Sequence, residues 1–306
     1  LRPISFLVDV TNYFTYDNNR PLHVFDADKL AGNNLRVSRA KGGETLVGLD
    51  EKEYKFAQNM TLISDVNGVE SIGGIMGGLR SSCTEETVNV FVEAAYFDLI
   101  RTAYTGRALK INSDARYRFE RGIDPSFTPI GLDLACEMIM EHAGGEVSSR
   151  VQAGTIPCST RAYRLNAARV QSLVGMEIPE SEQRQTLTAL GFRLDGDMAY
   201  VPSWRPDIMG EADLVEEVAR VASLTKLVGK PLPRVISGVP KPVMTPMQRR
   251  QQLARRRAAS LGYNECVTYS FIDQGAAVLF GGGIDTTKLE NPISSDMSHM
   301  RPALLP

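Results

Sequence analysis

The stretch TLISDVNGVESIGGIMGG (61–78) decides how the first half of the chain is read. Two short apolar runs flank Asn67-Gly68, the pair that most readily supplies positive φ at both centres of a two-residue hairpin turn. The stretch therefore predicts a hairpin, and the apolar strands on either side predict a sheet. It ends in GGIMGG, four glycines in six residues, where backbone has to come close to something. No Gly-Lys-Ser/Thr follows and no βαβ unit surrounds it, so it is neither a phosphate-binding loop nor a dinucleotide fingerprint. It reads as a tight turn or bulge, or as a pocket floor offering backbone N–H groups.

Ten residues downstream, VNVFVEAAYF (88–97) carries one charge in an apolar run. Strand alternation puts Val88, Val90 and Val92 on one face and Asn89, Phe91 and Glu93 on the other. An unpaired buried carboxylate is costly. Glu93 therefore expects either an arginine, with Arg116, Arg118 and Arg121 of DARYRFERG as candidates, or a ligand.

Working outward, LRVSRA (35–40) alternates as a strand, and RPISFLVDVTNYF (2–14) is an apolar run of helical or strand character. TPIGLDLACEMIMEHAGG (128–145) has helical spacing with a glycine stop. Residues 1–157 read as an α+β unit closed by a polar, loop-like segment. Residues 158–237 hold short helices at 165–175 and 181–192, a hairpin about Asp195-Gly196 and a helix in GEADLVEEVARVASL, a pattern like a winged helix. Residues 238–306 begin with the proline-rich linker GVPKPVMTP, then a basic helix ending at Gly262 and a strand in ECVTYSFI. The expected class is α+β and multidomain, with mixed helices and antiparallel strands.

The 306 residues carry 34 Lys+Arg against 36 Asp+Glu, a net charge of −2, which argues against a uniformly basic nucleic-acid binder. Cys83, Cys136, Cys158 and Cys266 lie far apart with no CxxC pair. That argues against zinc and against a disulfide framework, and fits a reducing cytoplasm. No apolar run approaches the roughly 18 residues of a membrane span. The chain starts at LRPISF without an initiator Met and stops at MRPALLP, so it reads as a piece of something longer.

Several residues could carry chemistry. Thr11 and Asn12 interrupt an apolar run, where turn or capping roles are commoner than functional ones. His23 is one of three histidines; in an apolar context it is more often structural than catalytic. Asp207, Glu211, Asp213, Glu216 and Glu217 crowd the start of a helix, and Asp213, Glu216 and Glu217 have i, i+3, i+4 spacing. Such a cluster is either an acidic, solvated helix start, which the helix dipole stabilises, or is held by a cation or basic partner; an all-oxygen set favours Mg²⁺. Arg249, Arg250, Arg255, Arg256 and Arg257 read as a solvated face, with RNA contact as the alternative.

In order and phrasing, RPISFLVDVTNYF, PLHVFDADKL, GGIMGG, VEAAYFD and SDARYRFERGIDP resemble the editing domain of the bacterial-type phenylalanyl-tRNA synthetase beta subunit. VPSWRPDIMGEADLVEEVARV resembles the winged-helix-like domain that follows there. TPMQRRQQLARRRAASLGYNECVTYSF and LENPISSDMSHMRPALLP resemble the start of its catalytic-like domain, a synthetase-like antiparallel-sheet fold cut off partway. The resemblance implies proofreading: hydrolysis of Tyr-tRNA(Phe) made in error, in an (αβ)₂ heterotetramer whose alpha subunit binds ATP and charges the tRNA. It implies that Glu93 accepts the tyrosine phenol, that His23 lies near the scissile ester, and that Thr11 and Asn12 belong to the same pocket. Gly73, Gly74, Gly77 and Gly78 would line it. Ser113 stands where threonine is usual and widens the wall by a methyl, while Ala115 leaves room for the ring. It further implies Mg²⁺ on Asp207, Asp213, Glu216 and Glu217, with Pro206 in place of the usual phenylalanine. No Ser-His-Asp set is evident, and His23 as general base or as positioner of water are equal readings. The other reading is a scaffold that docks the alpha subunit and holds tRNA without editing. A Mg²⁺-dependent phosphotransferase lacks the phosphate-binding loop it would need.

Overall fold

The computed structural model describes residues 3–157, 160–233 and 243–306. The chain divides into two compact units, Leu1–Gly229 and Lys230–Pro306. Cys158 and the expected boundary at 237/238 lie outside the described residues.

The first unit opens with α1 (Phe6–Asp17), so the ambiguous apolar run is a helix. It packs on α4 (Thr128–Ala143) around Val10, Phe14 and Ala135. α4 stops as expected: Gly144 follows at φ +75° and donates to the Met140 carbonyl. Between these helices lie the strands β1 (His23–Asp26), β2 (Arg36–Arg39), β3 (Thr45–Val47), β4 (Glu53–Lys55), β5 (Thr61–Ser64), β6 (Val69–Ile72), β7 (Met76–Gly77) and β8 (Val90–Glu93). α2 (Leu99–Leu109) and α3 (Asp114–Phe119) follow β8.

β2, β5, β6 and β7 form a four-stranded antiparallel sheet, and β3 and β4 pair as a hairpin. The alternation of 61–64 is used on both faces. Leu62, paired with Ile72, joins a core with Leu46, Phe56, Ile75 and Ile111, while Ile63 faces Phe25, Phe97, Phe119 and Ile123. β1 pairs with β8 as a separate two-stranded ribbon. A bridge from Phe25 to Ser82 ties the ribbon to the chain leaving the sheet.

The hairpin at 61–72 forms, but not through a two-residue turn. Asp65 to Gly68 make a four-residue loop, Gly68 has φ +153°, and Asn67 is not in the left-handed region. Asp65 closes the loop by accepting from the backbone N–H of Asn67 (2.7 Å) and Gly68 (3.0 Å). A side chain that mimics a backbone turn outcompetes the Asn-Gly preference. The same buried carboxylate accepts from Ala31 and from Arg80, which also pairs with buried Glu70.

The rest of the first unit is a small helical module with a three-stranded sheet. It comprises β9 (Ala162–Arg164), α5 (Ala167–Val174), α6 (Glu180–Ala189), β10 (Arg193–Asp195), β11 (Met198–Tyr200) and α7 (Glu211–Ala222), with sheet order β10-β11-β9. β9 is a strand that the hydrophobic pattern does not announce, since it is three residues long. The core is Leu165, Val170, Leu187, Phe192, Leu214, Val215 and Val218 with neighbours.

In the second unit, α8 (Pro246–Ser260) starts at a capping box between Thr245 and Gln248. β12 (Phe271–Ile272), α9 (Gln274–Leu279) and β13 (His299–Met300) complete it. The strand expected over 265–272 is only Phe271–Ile272, because β13 offers partners to those two residues alone. Among the described residues no helix is long and apolar enough to cross a membrane.

Asp65→Ala removes the buried carboxylate that pairs with the exposed Arg80 guanidinium, and opens the loop. The expected loss is about 1–3 kcal/mol, the range for leaving buried donors unsatisfied, read from the urea unfolding midpoint, with Asp65→Asn falling between.

Candidate functional site

Two motifs far apart in sequence meet on the ribbon. In its register His23 lies opposite Glu93 and Phe25 opposite Phe91. Directly paired residues of antiparallel strands project to the same side. The face expected to hold Phe91 and Glu93 therefore also holds His23 and Phe25. The His23 and Phe25 rings meet edge to face at 4.3 Å, and the Phe25 and Phe91 rings lie 6.2 Å apart. Phe25 is fully buried, whereas Phe91 is 45% exposed, so the face runs from core to surface.

Neither polar group on this face has a hydrogen-bond partner among the described residues. His23 Nε2 is enclosed without one. The residue as a whole is half-buried. Burial pushes the imidazole down to about 4, so it is neutral at pH 7. Glu93 is half-buried and forms no ion pair at contact distance. Burial pushes its carboxyl up to about 7, against the pull of Arg20.

The arginines expected to serve Glu93 are engaged elsewhere. Arg116 pairs with Glu120 (3.0 Å), Arg118 with Asp114 (3.3 Å) and Arg121 with Glu120 (3.0 Å). They sit on and just after α3, where i, i+4 carboxylates are nearer than the ribbon. The cation that acts on Glu93 is Arg20, which sequence reasoning missed. It is buried at the end of a polar, exposed run (Asp17 to Asn19), so it has no local signature, and only the fold brings it behind β8.

The glycines of GGIMGG have distinct duties. Gly74, at φ +73°, makes the tight turn closed by the Ile75 N–H on the Ile72 carbonyl. A Cβ on Gly73 or Gly74 would strike Phe97, and on Gly78 would strike Leu46 and the Glu70 carbonyl. Gly77 alone borders the site: a Cβ there would lie 2.3 Å from His23 Cε1. Ser113 donates to the Ile75 carbonyl (2.6 Å) and caps α3 through the Arg116 N–H (3.1 Å), so its hydroxyl locks the turn. Ala115 packs at the edge of the Phe25, Phe97 and Phe119 cluster. Thr11 and Asn12 lie within α1 rather than in a turn or cap. The Thr11 hydroxyl is spent on the Val8 carbonyl (2.8 Å), and neither residue bonds to His23 or Glu93.

The carboxylate cluster is arranged differently from a metal centre. Arg205 grips Asp207 through Nε (2.9 Å) and Nη2 (2.5 Å), and reaches Glu217 through Nη1 (2.7 Å). Arg220 holds Glu217 as well (2.8 Å). Hydrogen bonds from Arg205 keep the Asp207 carboxyl below its ordinary range, and those from Arg220 and Arg205 do so for Glu217. Asp213 accepts from the Met209 N–H (2.7 Å), and Glu216 points to solvent. Among the described residues no three His, Cys, Asp or Glu side chains are gathered to hold a metal. This arrangement does not fit Mg²⁺: the cation expected amid the carboxylates is a pair of guanidinium groups. Pro206 has a packing role, since a Cβ on Gly122 would meet it at 2.6 Å.

Comparison with known proteins places these features in a lineage. Residues 1–144 match the B3/4 domain, 163–223 the tRNA synthetase B5 domain and 233–306 the phenylalanyl tRNA synthetase beta chain CLM domain. Phenylalanine–tRNA ligase beta subunits are 72% identical in Ruegeria pomeroyi, 64% in Cereibacter sphaeroides and 50% in Paramagnetospirillum magneticum, each over the whole chain. The chain spans 38% of the length of each. A solved N-terminal fragment of the Pyrococcus horikoshii beta-subunit superposes at a TM-score of 0.33 with 17% identity, over 69% of this chain and 64% of that one, a likeness too slight to carry an argument.

Two outcomes check this geometry. Gly77→Ala forces the imidazole out of its niche, so the His23 pKa should climb from about 4 toward the ordinary value near 6.5. NMR titration reads this directly, because the chain has only three histidines. The pH dependence of stability is the second. Glu93, raised from 4.5 to about 7, contributes stability that is full below 4.5 and is lost as pH rises through 7. His23, lowered from 6.5 to about 4, contributes stability that is full above 6.5 and is lost as pH falls through 4. The slopes oppose one another between pH 4.5 and 6.5. In that window thermal melts of Glu93→Gln should rise with pH more steeply than wild type, and those of His23→Asn should fall.

Proposed function

The chain belongs to the phenylalanine–tRNA ligase beta-subunit family, and from that premise we propose that its first 157 residues form a proofreading site that hydrolyses Tyr-tRNA(Phe) made in error. The observation that carries the reading is the face shared by His23 and Glu93: two polar groups without protein partners beside aromatic rings. Tyrosine differs from phenylalanine by one hydroxyl. A hydrophobic synthetic site rejects such an addition only about 100-fold, whereas a site built to bond the hydroxyl can discriminate by roughly 10⁴–10⁵. Glu93 is the acceptor for that phenol, an ionised carboxylate making the stronger, charge-assisted bond. The ring lies along the apolar face, and Ala115 and Ser113 bound the space it needs.

At the other end, water adds to the ester carbonyl and the ribose oxygen leaves with a proton. A His23 held near pKa 4 is a weak base at neutral pH. Its role is to orient the water or the terminal ribose as a neutral imidazole, with Gly77 leaving space for the ring. Thr11 and Asn12, both on α1, are assigned to this pocket by the family resemblance alone. The whole enzyme is an (αβ)₂ assembly of the cytoplasm in which the alpha subunit charges tRNA(Phe) using ATP. No step is assigned to Mg²⁺ at the Asp207 cluster.

The test is deacylation by the assembled ligase. Tyr-tRNA(Phe) should be hydrolysed faster than Phe-tRNA(Phe). Glu93→Ala should lower that preference at least tenfold, about 1.4 kcal/mol, while His23→Ala slows both esters. Equal rates on the two esters in the unmodified enzyme would overturn the reading.

A further inference from the structure

Arg20 is the least expected group in the molecule. It is 1% exposed and has no carboxylate at ion-pair distance among the described residues. Its guanidinium donates through Nη2 to the Ala95 carbonyl, through Nη1 to Thr128 Oγ1 (2.7 Å), and weakly through Nε to the Pro21 carbonyl (3.4 Å). It also lies over the Phe119 ring at 5.6 Å. Gly131 on α4 has to be small for it, since a Cβ there would lie 2.8 Å from Arg20 Cγ. Burying a cation with only neutral acceptors is costly unless its charge is used.

The anchors show where it is used. Ala95 lies two residues beyond Glu93 on the same chain segment, and Arg20 lies three residues before His23. One guanidinium thus fixes the lead-in to β1, the lead-out of β8 and the start of α4. The electrostatic coupling is mutual: Glu93 favours the charged form of Arg20, and Arg20 favours that of Glu93. The other charged groups near the ribbon do not compete. His23 opposite is neutral. Asp26, Asp28 and Lys29 follow β1 at the Val90 end, where Asp26 pairs with Lys29 and Asp28 accepts from Asn89. On α4, Asp133 and Glu137 are exposed and the Cys136 thiol is pushed further up by burial. Asp124 acts on Arg20, while bonding to Ser126 and Ser203.

We propose that Arg20 is the specificity-positioning residue of this site: a buried cation, clamped to the strand that carries Glu93, that keeps that carboxylate available as the acceptor of a phenolic hydroxyl. It touches neither ester nor ring. It acts through Glu93, and the inference rests on the proofreading reading above.

The experiment is the pH profile of selectivity, kcat/KM for Tyr-tRNA(Phe) over that for Phe-tRNA(Phe), in the assembled ligase. In the wild type, selectivity should rise with pH about a midpoint near 7, as Glu93 ionises. Arg20→Met should move the midpoint up by a unit or more, with a tenfold loss of selectivity at pH 7; Arg20→Lys, which keeps the charge, should hold it within half a unit. A purely structural role would lower both rates and leave the midpoint unmoved. An unmoved midpoint in Arg20→Met overturns the proposal. Should that variant not fold, Arg20→Gln, which keeps a donor for the Ala95 carbonyl but not the charge, decides: an upward shift of a unit or more supports the proposal, and an unmoved midpoint overturns it. A wild type with no preference for the tyrosyl ester sinks the proofreading reading instead, which keeps the two failures apart.

Discussion

Antiparallel pairing of β1 with β8 is the constraint from which the site follows. It brings together residues 70 positions apart in a fixed register, and register decides which side chains share a face. A slip of one residue would turn either His23 or Glu93 to the other side. Two-stranded ribbons are marginal by themselves, so the pairing has to be held from outside. Phe25 does this from the core it shares with Ile63, Phe97 and Phe119. The bridge to Ser82 does it along the edge, and the bond from Arg20 to the Ala95 carbonyl does it where the strand ends.

Local pattern made the elements legible and left their partners hidden. The period-two alternation of 88–93 correctly puts Phe91 and Glu93 on one side, because pleat geometry is a property of the strand alone. The helices at 128–143 and 211–222 are readable for the same reason, being set by spacing and a stop. What pairs with what is a long-range matter. Glu93 looks toward arginines close in sequence, yet those are taken by carboxylates on their own helix, and the cation comes from a loop 73 residues earlier. The Asn67-Gly68 pair promises a hairpin and there is one, but Asp65 writes its geometry, since three backbone N–H groups and the Arg80 guanidinium converge on that carboxylate.

The acidic helix start of the small module illustrates the same limit. Spacing shows that like charges are crowded and that something positive must offset them. It does not say what. In the fold, Arg205 and Arg220 supply the charge from within the chain, with Glu217 at the border of the core and Glu216 in solvent. Spacing from Asp213 at i+3 and i+4 puts Glu216 and Glu217 on one side of the helix, but that side is wide enough for Glu217 to be buried and Glu216 wet.

The dependence of the ribbon on its neighbours has a consequence for how the site can be damaged. The parts that hold β1 against β8 are few, and they belong to the general core. Substitutions in that core, at Ile63, Phe97 or Phe119, therefore act on the ribbon although they lie outside it. Distance from the site is thus a poor guide to whether the pairing of His23 with Glu93 depends on a residue.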